Sequence, residues 1–329
     1  MNSSIFGILI TLFCLAGTAK ARAEIGMPTL FASPRNLPHS TPVDVEDALQ
    51  LTPKVAKIAH LAVNWSDPNF FALAYGLVTE YRRRGLETIV GLDILPPTRK
   101  PFPRGPSDLG ATISLSDPKV RARFIDDVRA LAHLRVPFLY LGLEINYLVF
   151  NLNEYLAFVT LYKLAYDEIK KISPGTKVFT SFQYDLIYGM HRIYPQPNLV
   201  VDLFKPKLDL LAITSYPAPH FSHPSLMPPD YYRLANLYAG GLPIAVTEIG
   251  WPTRGPGDEQ EQFLFILMLP SLLGNLRPVF SGWALLHDID GLVPDWGDDL
   301  NSVGLRHQNG SAKLGYYFWQ LIVMGRIVF

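Results

Sequence analysis

The sequence predicts an α/β fold, a single (β/α)8 TIM barrel, and three observations support this prediction. Eight short apolar runs alternate with helix-forming segments along the chain. The runs are almost continuously apolar, as parallel strands covered on both faces are, and regular β–α alternation indicates a parallel sheet. The 329 residues, 49% of them hydrophobic, are also enough for a barrel, whose usual size is ~250 residues.

The predicted strands are apolar runs bounded by polar, Gly or Pro residues. They span residues 28–33, 57–65, 87–95, 137–144, 177–185, 208–217, 243–250 and 279–288. The alternative is an open doubly wound sheet, which usually carries a Gly-rich turn after its first strand. Because the chain contains neither GxGxxG nor GxxxxGK[ST], the barrel is the better prediction.

A helical segment follows each predicted strand. Asp67-Pro68 and Asp117-Pro118 each offer a capping residue and then a Pro at the first helical position. Apolar residues recur at helical spacing after both starts. The remaining helical segments lie around residues 45–50, 153–172, 230–241, 258–274 and 311–324, with a short helix after the fifth strand.

The N-terminus predicts a secretory signal peptide over residues 1–23, which leaves residues 24–329 as the barrel domain. Residues 5–17 are an apolar block too short to span a bilayer comfortably, and Ala-x-Ala patterns end at Ala21 and Ala23. We therefore expect a secreted or periplasmic protein. Because no Lys or Arg precedes the apolar block, an uncleaved N-terminal anchor stays open as the alternative.

Composition argues against several classes of function. The chain has 29 basic and 29 acidic residues, so no net charge attracts nucleic acid or an anionic membrane. The single cysteine, Cys14, lies in the predicted signal peptide, so the mature chain would have neither disulfides nor thiolate chemistry. We expect no metal, no organic cofactor, no membrane span in the mature chain, and a monomer.

Polar and aromatic residues stand at the carboxyl ends of the predicted strands, where TIM barrels carry their active sites. The set comprises Asn64, Trp65, Asp93, Glu144, Asn146, Gln183, Tyr216, Glu248, Trp251, Trp283 and His287. Carboxylates and amides bond sugar hydroxyls, and aromatic rings cover the apolar faces of pyranoses. The sequence therefore predicts a polysaccharide or oligosaccharide substrate.

Glu144 and Glu248 are the predicted catalytic pair. They close the fourth and seventh predicted strands, so on an eight-strand ring they should face one another across the mouth. A retaining glycosidase needs two carboxyl groups ~5–5.5 Å apart, one as nucleophile and one as acid/base. Tyr216, on the neighbouring strand, is placed to donate a hydrogen bond to Glu248 and keep it ionised.

Four short motifs resemble those of the clan of (β/α)8 retaining glycoside hydrolases. They are GLEIN (142–146), SYP (215–217), TEIGWP (247–252) and GW (282–283), and VTEIGWPT looks most like the nucleophile motif of family 53 endo-β-1,4-galactanases and family 17 β-1,3-glucanases. The resemblance implies that Glu144 is the acid/base, Glu248 the nucleophile, Tyr216 its hydrogen-bond partner and Trp283 the platform under the sugar. With the predicted signal peptide, it implies an exported enzyme that cleaves a β-linked polysaccharide with retention. Transglycosylation is a close variant.

Leu143 departs from the pattern of this clan. The clan usually has Asn directly before the strand-four Glu, where the amide bonds the sugar 2-hydroxyl, and Asn146 lies two positions after Glu144 instead. Leu143 therefore leaves a non-catalytic carbohydrate-binding barrel open as an alternative. An anchored N-terminus would favour a further alternative, an accessory protein of polysaccharide export.

Overall fold

A closed parallel barrel surrounded by helices forms the structure. The computed structural model describes residues 25–37, 39–110, 112–193, 198–289 and 300–326. The predicted signal peptide, residues 1–23, lies outside the described residues. Every strand pair is parallel, in the order β5-β4-β3-β2-β1-β9-β8-β7-β6. The strands are β1 (Met27–Phe31), β2 (Ile58–Asn64), β3 (Glu87–Asp93), β4 (Phe138–Leu141), β5 (Lys177–Phe179), β6 (Ser181–Gln183), β7 (Leu211–Ser215), β8 (Ile244–Ile249) and β9 (Phe280–Trp283).

The ring closes through an interruption in the fifth predicted strand. β5 and β6 are the two parts of that strand, separated at Thr180. β5 pairs with β4 while β6 pairs with β7, so the two ends of the sheet are joined. The barrel thus has eight strand positions, and the predicted (β/α)8 fold is confirmed.

Helices cover the outside of the barrel. Within the described residues they are α1 (Pro42–Val55), α2 (Phe70–Arg83), α3 (Pro118–Ala132), α4 (Leu152–Ile172), α5 (Tyr184–Ile193), α6 (Asn198–Asp202), α7 (Arg233–Ala239), α8 (Glu259–Leu273) and α9 (Leu314–Val323). None of these helices combines the length and the apolar composition that a membrane crossing needs.

Side-chain caps fix several helix starts. The Thr41 hydroxyl accepts from the Asp44 backbone N–H and the Asp44 carboxylate accepts from the Thr41 N–H, which is a capping box at the start of α1. Asp117 caps α3 as predicted, with Pro118 as the first helical residue. Asp67 behaves differently from the prediction. Its carboxylate accepts from the Asn69 N–H in a turn, and α2 begins only at Phe70.

Aromatic side chains fill the lower part of the barrel interior. A Cβ at Gly91 would lie 1.8 Å from the Cζ atom of Tyr140, so only glycine leaves room for that ring. The Tyr140 hydroxyl is 2.9 Å from His60 Nε2, and burial lowers the pKa of His60 to about 3, which keeps it neutral. Near the amino ends of their strands, Phe138 and Phe280 pack edge to face with centroids 5.0 Å apart. The open space therefore lies at the carboxyl ends.

Candidate active site

A cavity of about 530 Å³ opens at the carboxyl ends of the strands. Both predicted catalytic carboxylates line it, together with Tyr216. Its lining divides into two halves that lie on different sides of the ring. We call the first half the polar arc: Asp93, Arg99, Glu144, Gln183, Tyr216 and Glu248, which follow or end β3, β4, β6, β7 and β8.

The second half of the lining is apolar. It comes from the ends of β1 and β2 and from the chain after β9, and these three strands are neighbours in the sheet. We call it the apolar arc: Phe31, Leu37, Ala62, Val63, Ala284, Leu285, Ile289, Leu300 and Val303. Among the described residues the lining is therefore charged on one side and largely hydrocarbon on the other, with the Asn64 amide at the end of β2 between the two. The polar side also contains Leu143, Tyr147, Pro97, Pro219 and His220.

Glu144 is presented by a tight turn after β4. Gly142 and Glu144 both have left-handed backbone conformations, with φ of 80° and 53°. The Thr214 hydroxyl donates a 2.7 Å hydrogen bond to Glu144 Oε1, and Arg99 Nε lies 2.8 Å from Glu144 Oε2. Burial raises the pKa of the Glu144 carboxyl, while the charge of Arg99 and the Thr214 hydrogen bond oppose this rise.

Glu248 lies on β8 and is half-buried. The Tyr216 hydroxyl donates a 2.7 Å hydrogen bond to Glu248 Oε2, as the sequence predicts. Burial and the nearby charge of Glu144 raise the pKa of Glu248 to about 7, although the Tyr216 hydrogen bond opposes the shift. Burial and the charge of Glu248 hold the pKa of Tyr216 well above its usual value, so its hydroxyl keeps the proton it donates.

Arg99 is a site residue that the sequence analysis missed. It lies in the loop after β3 with a left-handed backbone, φ 55°. Its Nη1 donates a 2.6 Å hydrogen bond to Asp93 Oδ2, and its Nε approaches Glu144, so one cation joins two carboxylates. Burial opposes its charge, yet Asp93 and Glu144 together raise the pKa of Arg99. The only sequence signal was an Arg in the Pro-rich loop after the third strand.

Asp185 is a second residue whose role becomes visible only in the structure. Its Oδ1 accepts hydrogen bonds from the hydroxyls of Tyr231 and Ser215, at 2.6 and 2.8 Å. Its Oδ2 accepts from the Tyr216 backbone N–H and from Gln183 Nε2, both at 2.8 Å. Asp185 therefore fixes the start of the chain after β7 and, with it, the position of the Tyr216 ring.

Three further predicted residues line the cavity, and all are engaged by the fold. Asp93 Oδ1 accepts from the backbone N–H groups of Leu95 and Leu143, both at 3.2 Å. Asn64 donates to the Leu95 carbonyl at 3.1 Å and accepts from Ser66. Gln183 donates to Asp185 at 2.8 Å. These side chains reach the cavity but also tie neighbouring strand ends together.

The structure does not bring Asn146 to the cavity lining. Its amide N–H donates to the Gln183 carbonyl at 2.9 Å, and its Oδ1 accepts from the Gln183 N–H at 2.8 Å. Both ends of the amide are thus used to hold β6 against the turn after β4. Leu143 itself lines the cavity, beside Glu144.

The three indoles predicted at the site lie in the core instead. Trp65 is fully buried against Phe124, with its Nε1 donating to Asp127 at 2.8 Å. Trp251 packs against Phe265. Their large apolar surfaces are covered by the helix layer and do not line the cavity.

Trp283 also lies in the core and does not line the cavity, which does not fit the implied role of a platform under the sugar. It is fully buried, packs against Trp319 on α9, and donates from Nε1 to the Val303 carbonyl at 2.8 Å. His287 does not line the cavity either. Its ring Nδ1 lies 2.8 Å from the Ser33 carbonyl, and burial lowers the pKa of His287 to about 4.

Within the part of the chain that the structure describes, no group of three His, Cys, Asp or Glu side chains is arranged to hold a metal ion. The side chains of the polar arc nevertheless offer chemistry of their own. Two neighbouring carboxyls, one cation and one phenol can exchange protons and attack an electrophilic carbon.

No protein-family model and no curated protein matches the chain. Solved structures do match it. An exo-β-1,4-mannosidase from Opitutaceae bacterium strain TAV5 superposes with a TM-score of 0.69 at 16% identity over 91% of this chain. The chain spans 59% of the length of that protein.

Two other solved structures cover most of their own chains. GH5_18 from Streptomyces cattleya, solved in complex with GlcNAc, has a TM-score of 0.70 at 14% identity, over 92% of this chain and 80% of its own. A structure described as fungal β-1,4-galactanase has a TM-score of 0.59 at 16% identity, over 92% of this chain and 100% of its own. At these identities the likeness bears on the fold, and it confirms the TIM barrel.

Proposed function

We propose that the protein is a retaining β-glycoside hydrolase in which Glu248 is the nucleophile and Glu144 the acid/base. The observation that carries this proposal is the arrangement of two carboxyls in one cavity, Glu144 buried after the fourth barrel strand and Glu248 half-buried on the seventh, with the Tyr216 hydroxyl bonded to Glu248. The solved neighbours, which include a mannosidase and a galactanase, support the same class of activity.

The first chemical step forms a glycosyl-enzyme. Glu248 attacks the anomeric carbon, and the bond to the leaving oxygen breaks as that oxygen takes a proton from Glu144. Tyr216 keeps its hydrogen bond to the attacking carboxylate and orients it. In the second step Glu144 removes a proton from a water molecule, the water attacks the anomeric carbon, and Glu248 departs as a carboxylate.

Proton placement is the demanding part of this mechanism. Burial raises the pKa of both carboxyls, and the charge of Glu144 further raises the pKa of Glu248, so the titration of one carboxyl depends on the state of the other. Arg99 and Thr214 stabilise the ionised form of Glu144. Acid catalysis needs that proton on Glu144, so the ion pair with Arg99 must weaken when the glycosidic oxygen enters.

The direct test compares wild type with Glu248→Gln on β-glucans, β-galactans, β-mannans and small β-glycosides, since the sequence predicts a β-linked polysaccharide. We expect release of reducing sugar to fall by at least ~10³-fold, because the covalent route is lost. Glu87→Gln is the matched control. Glu87 is exposed at the amino end of β3, at the opposite end of the barrel. Equal product release by wild type and Glu248→Gln would contradict the proposal.

A non-catalytic sugar-binding barrel is the second candidate. Two observations favour it: Leu143 lines the cavity where the related clan has an amide, and Arg99 holds Glu144 in an ion pair. This candidate predicts that wild type binds a β-linked oligosaccharide, measured by calorimetry, without turning it over. Measurable turnover that depends on Glu248 would exclude it.

Export completes the proposal. We propose that the chain carries a signal peptide cleaved after Ala23, since Ala-x-Ala follows a short apolar block. An uncleaved anchor would instead favour an accessory role in polysaccharide export. N-terminal sequencing of the exported protein separates the two, because cleavage gives a chain that begins at Glu24.

A further inference from the structure

We infer that Tyr147, Phe150 and Phe102 form a track that binds sugar units on the leaving-group side of the scissile bond, so that the substrate is a β-linked oligosaccharide or polysaccharide. We call these three residues the aromatic track. This inference rests on the proposed function. It comes from a series of aromatic rings that begins beside the proposed acid/base and leads from the cavity to its rim.

The chemistry of the proposed reaction fixes the side on which the leaving group lies. Glu144 protonates the oxygen of the scissile bond, so the leaving group must begin beside the Glu144 carboxyl. Glu248 attacks the anomeric carbon from the face opposite to the breaking bond. The leaving group therefore extends past Glu144 and away from Glu248, and residues near Glu144 on that side are the candidates to contact it.

Tyr147 is the first such residue. A 3₁₀ helix, Ile145–Phe150, begins directly after Glu144, and the Tyr147 N–H donates to the Glu144 carbonyl at 3.0 Å. The half-buried Tyr147 ring packs against the core and lines the cavity. Burial, followed by the charges of Glu144 and Asp185, raises the pKa of Tyr147 to about 12. The Tyr147 hydroxyl therefore keeps its proton and can bond a sugar hydroxyl beside the acid/base.

Phe150 continues the track toward the rim. Residues three apart lie above one another along a 3₁₀ helix, so Phe150 is on the same face as Tyr147, one turn further from Glu144. The Phe150 side chain is 68% exposed, whereas Leu148 of the same helix is buried. One face of this helix therefore presents two aromatic rings in succession, the first in the cavity and the second outside it.

Phe102 is the third member of the track and comes from the loop after β3. Asn151 Nδ2 donates to the Pro101 carbonyl at 3.2 Å, which ties this loop to the end of the 3₁₀ helix. Phe102 and Phe150 are the chain neighbours of these two residues, so both rings lie beside this hydrogen bond. The Phe102 side chain is 60% exposed. Since the same loop carries Arg99 to Glu144, it borders the mouth of the cavity.

The position and chemistry of the track favour a sugar chain as its occupant. Single exposed apolar residues are ordinary on protein surfaces, but a cluster of them marks a binding site. Phenyl faces cover the apolar faces of pyranose rings, while the ring hydroxyls stay in water or bond a phenol such as that of Tyr147. The track is also continuous with the cavity that contains both proposed catalytic carboxyls. A β-linked chain cleaved in the cavity would have its released end on the track.

The test compares wild type, Phe150→Ala and Phe102→Ala on substrates with and without leaving-group sugars. The first set is cellopentaose, laminaripentaose, β-1,4-galactopentaose and β-1,4-mannopentaose, each with isotopically labelled oxygen at its reducing end. The second set is the β-glycosyl fluorides of glucose, galactose and mannose, whose leaving group is one atom and cannot reach the track. For the sugar that is cleaved, each variant should lower the ratio of kcat/KM for the pentasaccharide to that for the fluoride about tenfold.

The products give a second measurement that a folding defect would not reproduce. Mass spectrometry of the labelled fragments shows how many sugar units lie on the leaving-group side when the bond breaks. Wild type should release labelled fragments of two or more units, and Phe150→Ala should shift release toward the labelled monosaccharide. Tyr75→Ala removes an exposed aromatic ring from α2 and should change neither the ratio nor the fragments. Where the fluoride is not cleaved, the fragments decide the question.

The outcomes separate the inference from the proposed function. Unchanged ratios and fragments in both variants, or a wild type that cleaves only the fluorides or releases only labelled monosaccharide, overturn the inference and leave a glycosidase. A change in oligomeric state alone, measured by light scattering, assigns the exposed rings to a protein contact and overturns it as well. Failure of wild type to cleave any of these substrates overturns the proposed function and the inference with it. A lower ratio with shifted fragments supports both.

Discussion

The polar and apolar arcs line the same cavity but are built in different ways. In the polar arc the side chains carry the interactions: Arg99 joins Asp93 to Glu144, and Tyr216 bonds Glu248. In the apolar arc the backbone bonds within the fold and the side chains present hydrocarbon. The difference teaches that one barrel mouth can hold a network of interacting charges on one side and a largely hydrocarbon surface on the other.

We expect the largest effect in the polar arc from removing Glu144, the proposed acid. Glu144→Ala should lower kcat/KM for alkyl β-glycosides by ~10²–10⁴-fold, because the leaving alkoxide then departs without a proton. A 2,4-dinitrophenyl glycoside leaves without that help, so its cleavage should fall far less. Steady-state kinetics on both substrates measure the difference. Equal losses on the two substrates would remove Glu144 from the acid role.

A smaller effect is expected at Tyr216, which orients the proposed nucleophile. Tyr216→Phe removes a hydrogen bond to a carboxylate, an interaction of about 1.5–3 kcal/mol, so kcat should fall about 10–100-fold. The pKa of Glu248 should rise further, which moves the acidic limb of the pH–rate profile to higher pH. Tyr317→Phe, an exposed residue on α9, is the control. An unchanged kcat in Tyr216→Phe would contradict a role for this hydrogen bond.

Substitution of Arg99 tests how the polar arc controls the protonation of its two proposed catalytic carboxyls. Its positive charge lowers the pKa of Glu144 and of Glu248. Arg99→Met removes that charge, so both carboxyls should hold protons to higher pH and both limbs of the pH–rate profile should move upward. Arg99→Lys keeps the charge and should stay closer to wild type. A Met variant that folds with the wild-type profile would show that Arg99 only holds the loop.

The smallest effect concerns stability rather than rate. The pKa of Glu248 rises from 4.5 to about 7 on folding, so the native state holds an extra proton between those values. Wild-type stability should then fall as pH rises through this window and stay reduced above it. Glu248→Gln removes the effect. The free energy of unfolding of the variant minus that of wild type should therefore be ~2 kcal/mol larger at pH 8 than at pH 4.5. Urea unfolding at the two pH values measures this, and a pH-independent difference would refute it.

Strand-end residues could be predicted because the barrel places all carboxyl ends at one mouth. Glu144, Glu248 and Tyr216 follow from that rule, and the cavity contains all three. Arg99 could not be predicted, because the reach of a loop depends on its folded path. The charges of Asp93 and Glu144 draw it inward, and no spacing in the chain encodes that contact.

Trp65 and Trp283 were predicted to line the cavity because the prediction did not consider that successive side chains of a strand face opposite sides of the sheet. On β9, Phe280 packs across the barrel interior and Ala284 lines the cavity, so the side chains between them at odd spacing face the helices. Trp283 is one of these, and it meets Trp319. Trp65 follows Asn64, which lines the cavity, and so points to the helix layer as well. Every second residue from an interior-facing position also faces the interior, and neither Trp65 nor Trp283 lies at such a position.

Trapping the covalent intermediate tests the central claim most directly. Wild-type protein is incubated with 2-deoxy-2-fluoro-β-glycosyl fluorides of glucose, galactose and mannose, which slow release of the glycosyl-enzyme because the fluorine destabilises the charged transition state. Digestion and mass spectrometry then locate the label. We predict one fluoroglycosyl group, attached to Glu248. A label on Glu144, or no label with a sugar that the enzyme hydrolyses, would contradict the assignment of Glu248 as the nucleophile.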